Sequence, residues 1–164
     1  MNPMSSMRSA SSNTKRWVPR STMCRVAIKS DTRPGVPANE RYKAIGGQWP
    51  QGLYILVSPD GLKWRKWRDE PVFKDGAFDS LNVGFWSETE KCYVLYFRVF
   101  TSWTDYKSKA FNLDGYRSIA RTTSTDLINW TPAQRMSFGN TPLEELYTNH
   151  TRAYFRAPHI YLAT

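Results

Sequence analysis

Ser58-Pro59-Asp60-Gly61-Leu62-Lys63-Trp64 and Ser124-Thr125-Asp126-Leu127-Ile128-Asn129-Trp130 carry one pattern, Ser-x-Asp-x-x-x-Trp. Each copy follows a β-prone run and leads into another polar and aromatic stretch. One hairpin unit is therefore used twice, and repetition on this length points to an array of small sheets.

Outward from the two copies, beginning at about Asn39, short β-prone runs alternate with turn signals such as Pro59-Asp60-Gly61, Asp75-Gly76 and Asp114-Gly115. No window shows sustained apolar spacing at helical period, so the reading is all-β. Strands are expected over 41–45, 52–58, 81–86, 91–100, 117–123 and 153–162. Ser87-Glu88-Thr89-Glu90 reads as a hairpin loop. The run 142–146 reads as one helical turn, with Pro142 at its first position and Thr141 as cap.

The run Cys92-Tyr93-Val94-Leu95-Tyr96-Phe97-Arg98-Val99-Phe100 is apolar on both faces. Cys92, Val94, Tyr96 and Phe100 point one way; Tyr93, Leu95, Phe97 and Val99 point the other. A strand covered on both faces lies inside a stack of sheets. Stacked small sheets on a repeated hairpin are what a β-propeller supplies. Trp64 and Trp130 are 66 positions apart, more than the roughly 40–50 residues of a compact repeat; the excess falls in an insertion at 101–114. Residues 78–138 then form one blade, 41–73 the later strands of the preceding one, and 153–164 the inner strand of the next. Rings usually hold about four to eight blades. About two fit here, so the expectation is a fragment of a partial β-propeller, with a small open sandwich as the alternative.

Length and charge frame the rest. The chain's 164 residues suit one domain, and its net charge is +9. Six of those charges come from Arg8, Lys15, Arg16, Arg20, Arg25 and Lys29, in a stretch of 30 residues without an acid. Residues 1–38 are expected to be a disordered basic arm and 39–164 the folded domain. Most of the charge thus sits outside the folded part, which keeps only +3 of the +9, and nucleic acid is not its expected partner. Cys24 and Cys92 are the two cysteines, which indicates neither a disulfide framework nor a thiolate metal site. No apolar run is long enough for a membrane helix, and no secretory apolar region opens the chain. Phosphate loops, a nucleophile-elbow serine and zinc-ligand spacing are also absent from the sequence. No cofactor is expected; localisation and oligomeric state are left open.

At Ala77-Phe78-Asp79-Ser80-Leu81-Asn82, Arg117-Ser118-Ile119-Ala120-Arg121, Asp126-Leu127-Ile128-Asn129-Trp130 and Leu146-Tyr147-Thr148-Asn149 through Tyr154-Phe155-Arg156-Ala157-Pro158-His159-Ile160-Tyr161, the chain resembles bacterial proteins of the five-bladed β-propeller glycoside hydrolase clan. That clan holds invertase-like and arabinanase-like enzymes, and the resemblance is nearest to its uncharacterised glycosyl-hydrolase-like members. It implies a carbohydrate partner and cleavage of a glycosidic bond by paired carboxyl groups near the ring axis. Asp79 is the expected axial carboxylate; its other reading is a cap of its own turn. Glu144, or its neighbour Glu145, is the expected general acid, with solvation of a helical turn as the alternative. Asn82, Arg117, Arg156 and His159 are expected substrate contacts, with His159 equally readable as a core histidine. Arg117 and Arg121 share a strand face, either as an anion clamp or paired with acids on a neighbouring strand. Trp64, Trp67 and Trp130 read as packing between sheets, whereas Trp103 and Tyr106, in the insertion, are loop residues suited to a ligand. One departure matters: invertase-like members carry Arg-Asp-Pro where this chain has Arg156-Ala157-Pro158. Even an intact protein of this type is then expected to bind glycans without the usual acid pair, and the fragment, which encodes at most part of an axial site, is expected to be inactive itself. A non-catalytic carbohydrate- or protein-binding module is the alternative function.

Overall fold

The computed structural model describes residues 26–28, 31, 33–102 and 115–164, the first three by backbone alone. The described chain is all-β, in three antiparallel sheets, and no α-helix occurs in it. Strands β1 (Val26–Ile28), β2 (Tyr42–Gln48), β3 (Gly52–Ser58) and β4 (Arg65–Lys66) form the first sheet. A second repeats that plan with β5 (Val83–Ser87), β6 (Cys92–Phe100), β7 (Arg117–Ser124) and β8 (Gln134–Arg135). Both are meanders in which each strand pairs with its chain neighbours. The third is the hairpin of β9 (Arg152–Tyr154) and β10 (Ala157–Leu162).

The two Ser-x-Asp-x-x-x-Trp segments occupy equivalent places, each capping the third strand of its sheet. Ser58 Oγ accepts from the N–H groups of Asp60 and Gly61, and Ser124 Oγ from those of Asp126 and Leu127, at 3.2 and 2.8 Å in both copies. Asp60 Oδ1 accepts from Leu62 and Lys63, and Asp126 Oδ1 from Ile128 and Asn129. The indole N–H of Trp64 donates to Gly61 O at 2.9 Å, and that of Trp130 to Leu127 O at 3.3 Å. Gly61 and Leu127 hold the same left-handed backbone, φ 76° and 65°. For leucine this costs roughly 1–2 kcal/mol, and the side chain is held there by burial in the core.

Strand β6 divides its side chains as its pattern predicts. Tyr93, Leu95, Phe97 and Val99 pack with Ile45, Leu53, Ile55 and Val57 of the first sheet. Val94 and Tyr96 lie on the other side with Val83 and Ile119, against Leu146 and Tyr161. Fully burying such side chains is worth about 1.5–3 kcal/mol each, so β6 anchors the stack. Trp67 and Trp130 pack against the first cluster, as expected of packing residues; Trp64, expected to do the same, joins neither apolar cluster, so the two repeat tryptophans share their cap hydrogen bond but not their packing.

The structure revises several expectations. β1 lies within the stretch assigned to the basic arm, so pairing begins upstream of residue 39; three residues flanked by charges are too short to signal a strand. That gives the first sheet a fourth strand. The run 153–162 is a hairpin, because the chain turns at Phe155 and Arg156. Residues 142–146 are not helical: the Leu146 N–H donates to Arg117 O at 3.1 Å instead of closing a turn.

Candidate functional site

Asp79 lies on the loop that enters β5, at the end of the second sheet where β6 finishes and β7 begins. Its side chain is 52% exposed, and its Oδ2 receives Nη1 of Arg98 at 3.0 Å, so it does not cap its own turn. Arg98 is 6% exposed and is the one charge in the apolar run of β6. Its Nη2 donates to the Tyr147 carbonyl, and its guanidinium stands 4.8 Å from the Tyr147 ring centre. Ser80 Oγ donates to the same carbonyl at 3.0 Å. Asn149 Nδ2 reaches Leu81 O at 3.5 Å. Two loops, 77–82 and 145–151, are thereby tied into one surface, with the Tyr147 ring largely exposed beside Asp79.

Arg117 opens β7 next to this cluster and also lies over the Tyr147 ring, at 5.4 Å. Glu145 Oε2 accepts from the Arg117 N–H at 2.9 Å and from its Nη1 at 3.1 Å. The Arg117 amide, then its guanidinium, hold the Glu145 carboxyl below its usual range. A carboxyl so held is a poor proton donor near neutrality. Glu144 is exposed, and Glu145, not Glu144, meets the arginine. Burial pushes the Asp75 carboxyl up, the direction a proton donor requires.

Asn82 is fully buried and donates to Ser80 O at 3.2 Å, so it braces the loop from beneath. Its Oδ1 and the Nε atoms of Arg98 and Arg117 are buried without a partner among the described residues. Arg156 and His159 are both exposed on the third sheet, and His159 is thus no core histidine. Arg156 lies over the Phe155 ring. Arg121 pairs with Glu90 at 2.5 Å, so each arginine of β7 answers an acid rather than forming a clamp. Trp103 and Tyr106 lie outside the described residues. Arg98 and Tyr147 were not singled out by sequence reasoning; the signal for Arg98 was a lone cation inside a run apolar on both faces.

At the opposite end of β6, Asp31 is 5% exposed and receives Arg33 at 2.7 Å, Lys43 at 2.8 Å and the Tyr93 hydroxyl at 3.0 Å. Arg33 stacks 3.7 Å over Trp86. Arg33, and then Lys43 and Tyr93, hold the Asp31 carboxyl far below its usual range despite the burial. This network joins the first and second sheets, and its one carboxylate is already occupied by Arg33, Lys43 and the Tyr93 hydroxyl, which makes it structural.

Among the described residues no group of three or more His, Cys, Asp or Glu is placed to hold a metal, and no helix is long and apolar enough to cross a membrane. Searched against family models, curated proteins and solved structures, the chain finds no match.

Proposed function

We propose that the chain is a segment of a glycoside-hydrolase-like β-propeller, and that the Asp79 end of its second sheet is a carbohydrate-binding surface. Support for the propeller comes from two four-stranded meanders with equivalent caps, stacked face to face with a third sheet started beyond them. The observation that carries the carbohydrate reading is the half-exposed Asp79 carboxylate, braced by buried Arg98 beside the exposed Tyr147 ring. A fixed carboxylate accepts sugar hydroxyls, and a neighbouring aromatic face covers the apolar side of a pyranose or furanose.

Hydrolysis would need a second carboxyl at roughly 5–5.5 Å for retention or 6.5–9.5 Å for inversion. Glu145 is neutralised by Arg117, and Arg156-Ala157-Pro158 brings no acid. Binding is therefore the proposed activity of these 164 residues, and Asp75, whose carboxyl burial raises, is the acid whose substitution tests for turnover.

The test is an NMR titration of the chain with a panel of neutral pentose and hexose oligosaccharides. Shifts at Asp79, Ser80 and Tyr147, weakened about tenfold or more by Asp79→Ala, are the expected result. Absence of binding across the panel, or binding indifferent to that substitution, sinks the reading.

A protein-binding role is favoured by a different observation: Phe155, Ile160 and Leu162 are 79%, 45% and 53% exposed on the third sheet. Saccharide-insensitive self-association or partner capture, abolished by Phe155→Ser, would support it instead.

A further inference from the structure

We propose that Phe78 is a positioning residue, whose ring holds a left-handed backbone turn that carries the chain round the end of β6 and delivers Asp79 to Arg98. The ring is 2% exposed and packs against Phe97, centroids 5.7 Å apart, and edge-on against Phe73 at 6.1 Å. The next residue, Asp79, meets Arg98. Phe97 and Arg98 are consecutive in β6 and so face opposite sides of the sheet. Between Phe78 and Asp79 the chain therefore crosses from one face to the other.

Ala77 and Phe78 are both buried, at 1% and 2%, whereas the Asp79 side chain is 52% exposed. The backbone between them is left-handed at Phe78, whose φ is 53°. A bulky residue in that region is uncommon and persists where its surroundings over-determine it. Those surroundings are visible. The Ala77 N–H donates to Arg98 O at 3.2 Å, so Arg98 grips the loop on both sides of Phe78, by its carbonyl and by its guanidinium. Gly76 leaves no slack, since a Cβ there would stand 2.6 Å from the Phe97 ring and 2.7 Å from that of Phe78. The inference rests on the carbohydrate reading for what Asp79 contacts, but not for how Asp79 is held.

The test follows the Arg98 Nε–H resonance and oligosaccharide affinity together. Asp79→Asn supplies the reference signal for a broken pair. Phe78→Leu keeps an apolar anchor and is expected to keep the wild-type resonance and affinity. Phe78→Asn tolerates the left-handed backbone without the anchor. It is expected to move the Arg98 signal to the Asp79→Asn position and to lower affinity at least about tenfold. A folded Phe78→Asn protein with wild-type signal and affinity overturns the proposal. If that variant fails to fold, Phe78→Val serves, because its β-branch resists the left-handed turn while remaining apolar; an unmoved Arg98 signal in it overturns the proposal equally. Should the wild-type chain bind no oligosaccharide, the carbohydrate reading falls, while the Arg98 resonance still decides the role of Phe78.

Discussion

Ser58 and Ser124 each place one hydroxyl where two backbone N–H groups would otherwise lack a partner at the end of a strand, and both are buried. Replacing either by alanine strands those donors, at a cost of about 1–3 kcal/mol. Urea unfolding of Ser58→Ala and Ser124→Ala should show equal losses; a large difference would mean the two caps are not equivalent. This repeat was legible because its hydrogen bonds are local, spanning two or three residues. The site was legible only in part. Asp79 stood out beside a turn, but its importance depends on Arg98, nineteen positions away. Glu144 and Glu145 are indistinguishable in sequence, and only the approach of Arg117 separates them.

Strands long enough to alternate or to fill both faces were readable, and β3 runs over the expected residues, Gly52–Ser58. The two-residue strands β4 and β8 were not, since each is defined only by its pairing with a longer neighbour. The hairpin of the third sheet hid in a continuous aromatic run because its turn, Phe155-Arg156, contains neither glycine nor proline. That hairpin meets the second sheet at Tyr161, whose hydroxyl is 2.6 Å from both Ser87 Oγ and Glu90 Oε1. Burial, then the hydrogen bond to Glu90, push the phenol up to about 12. Tyr161→Phe removes both contacts and should lower the opening free energy of β9 and β10 by about 1–2 kcal/mol. Hydrogen exchange should quicken in those strands and not in β5 to β7; uniform quickening would contradict the local role.

Among the described residues the first two sheets are joined by apolar packing and by an ionic network at Asp31, which the basic composition of its surroundings concealed. Asp31→Asn leaves the buried Lys43 charge unanswered, an expected loss of about 3–5 kcal/mol. Its pH dependence has a definite sign. The native carboxyl is depressed, so its contribution is complete above the unfolded value of about 3.9 and drains away as acidity rises below it, when the unfolded chain takes up the proton first. The stability gap between wild type and Asp31→Asn, read from urea midpoints, should therefore be widest near neutrality and shrink on acidification; a gap that does not change with pH would contradict the role of the charge. The meander order of the sheets also bears on how the protein is made. Because every strand in them pairs with the one just before or after it, a nascent polypeptide can zip its first sheet while the ribosome is still translating the second. Docking of finished sheets, rather than strand pairing, is then the step that waits for synthesis to advance.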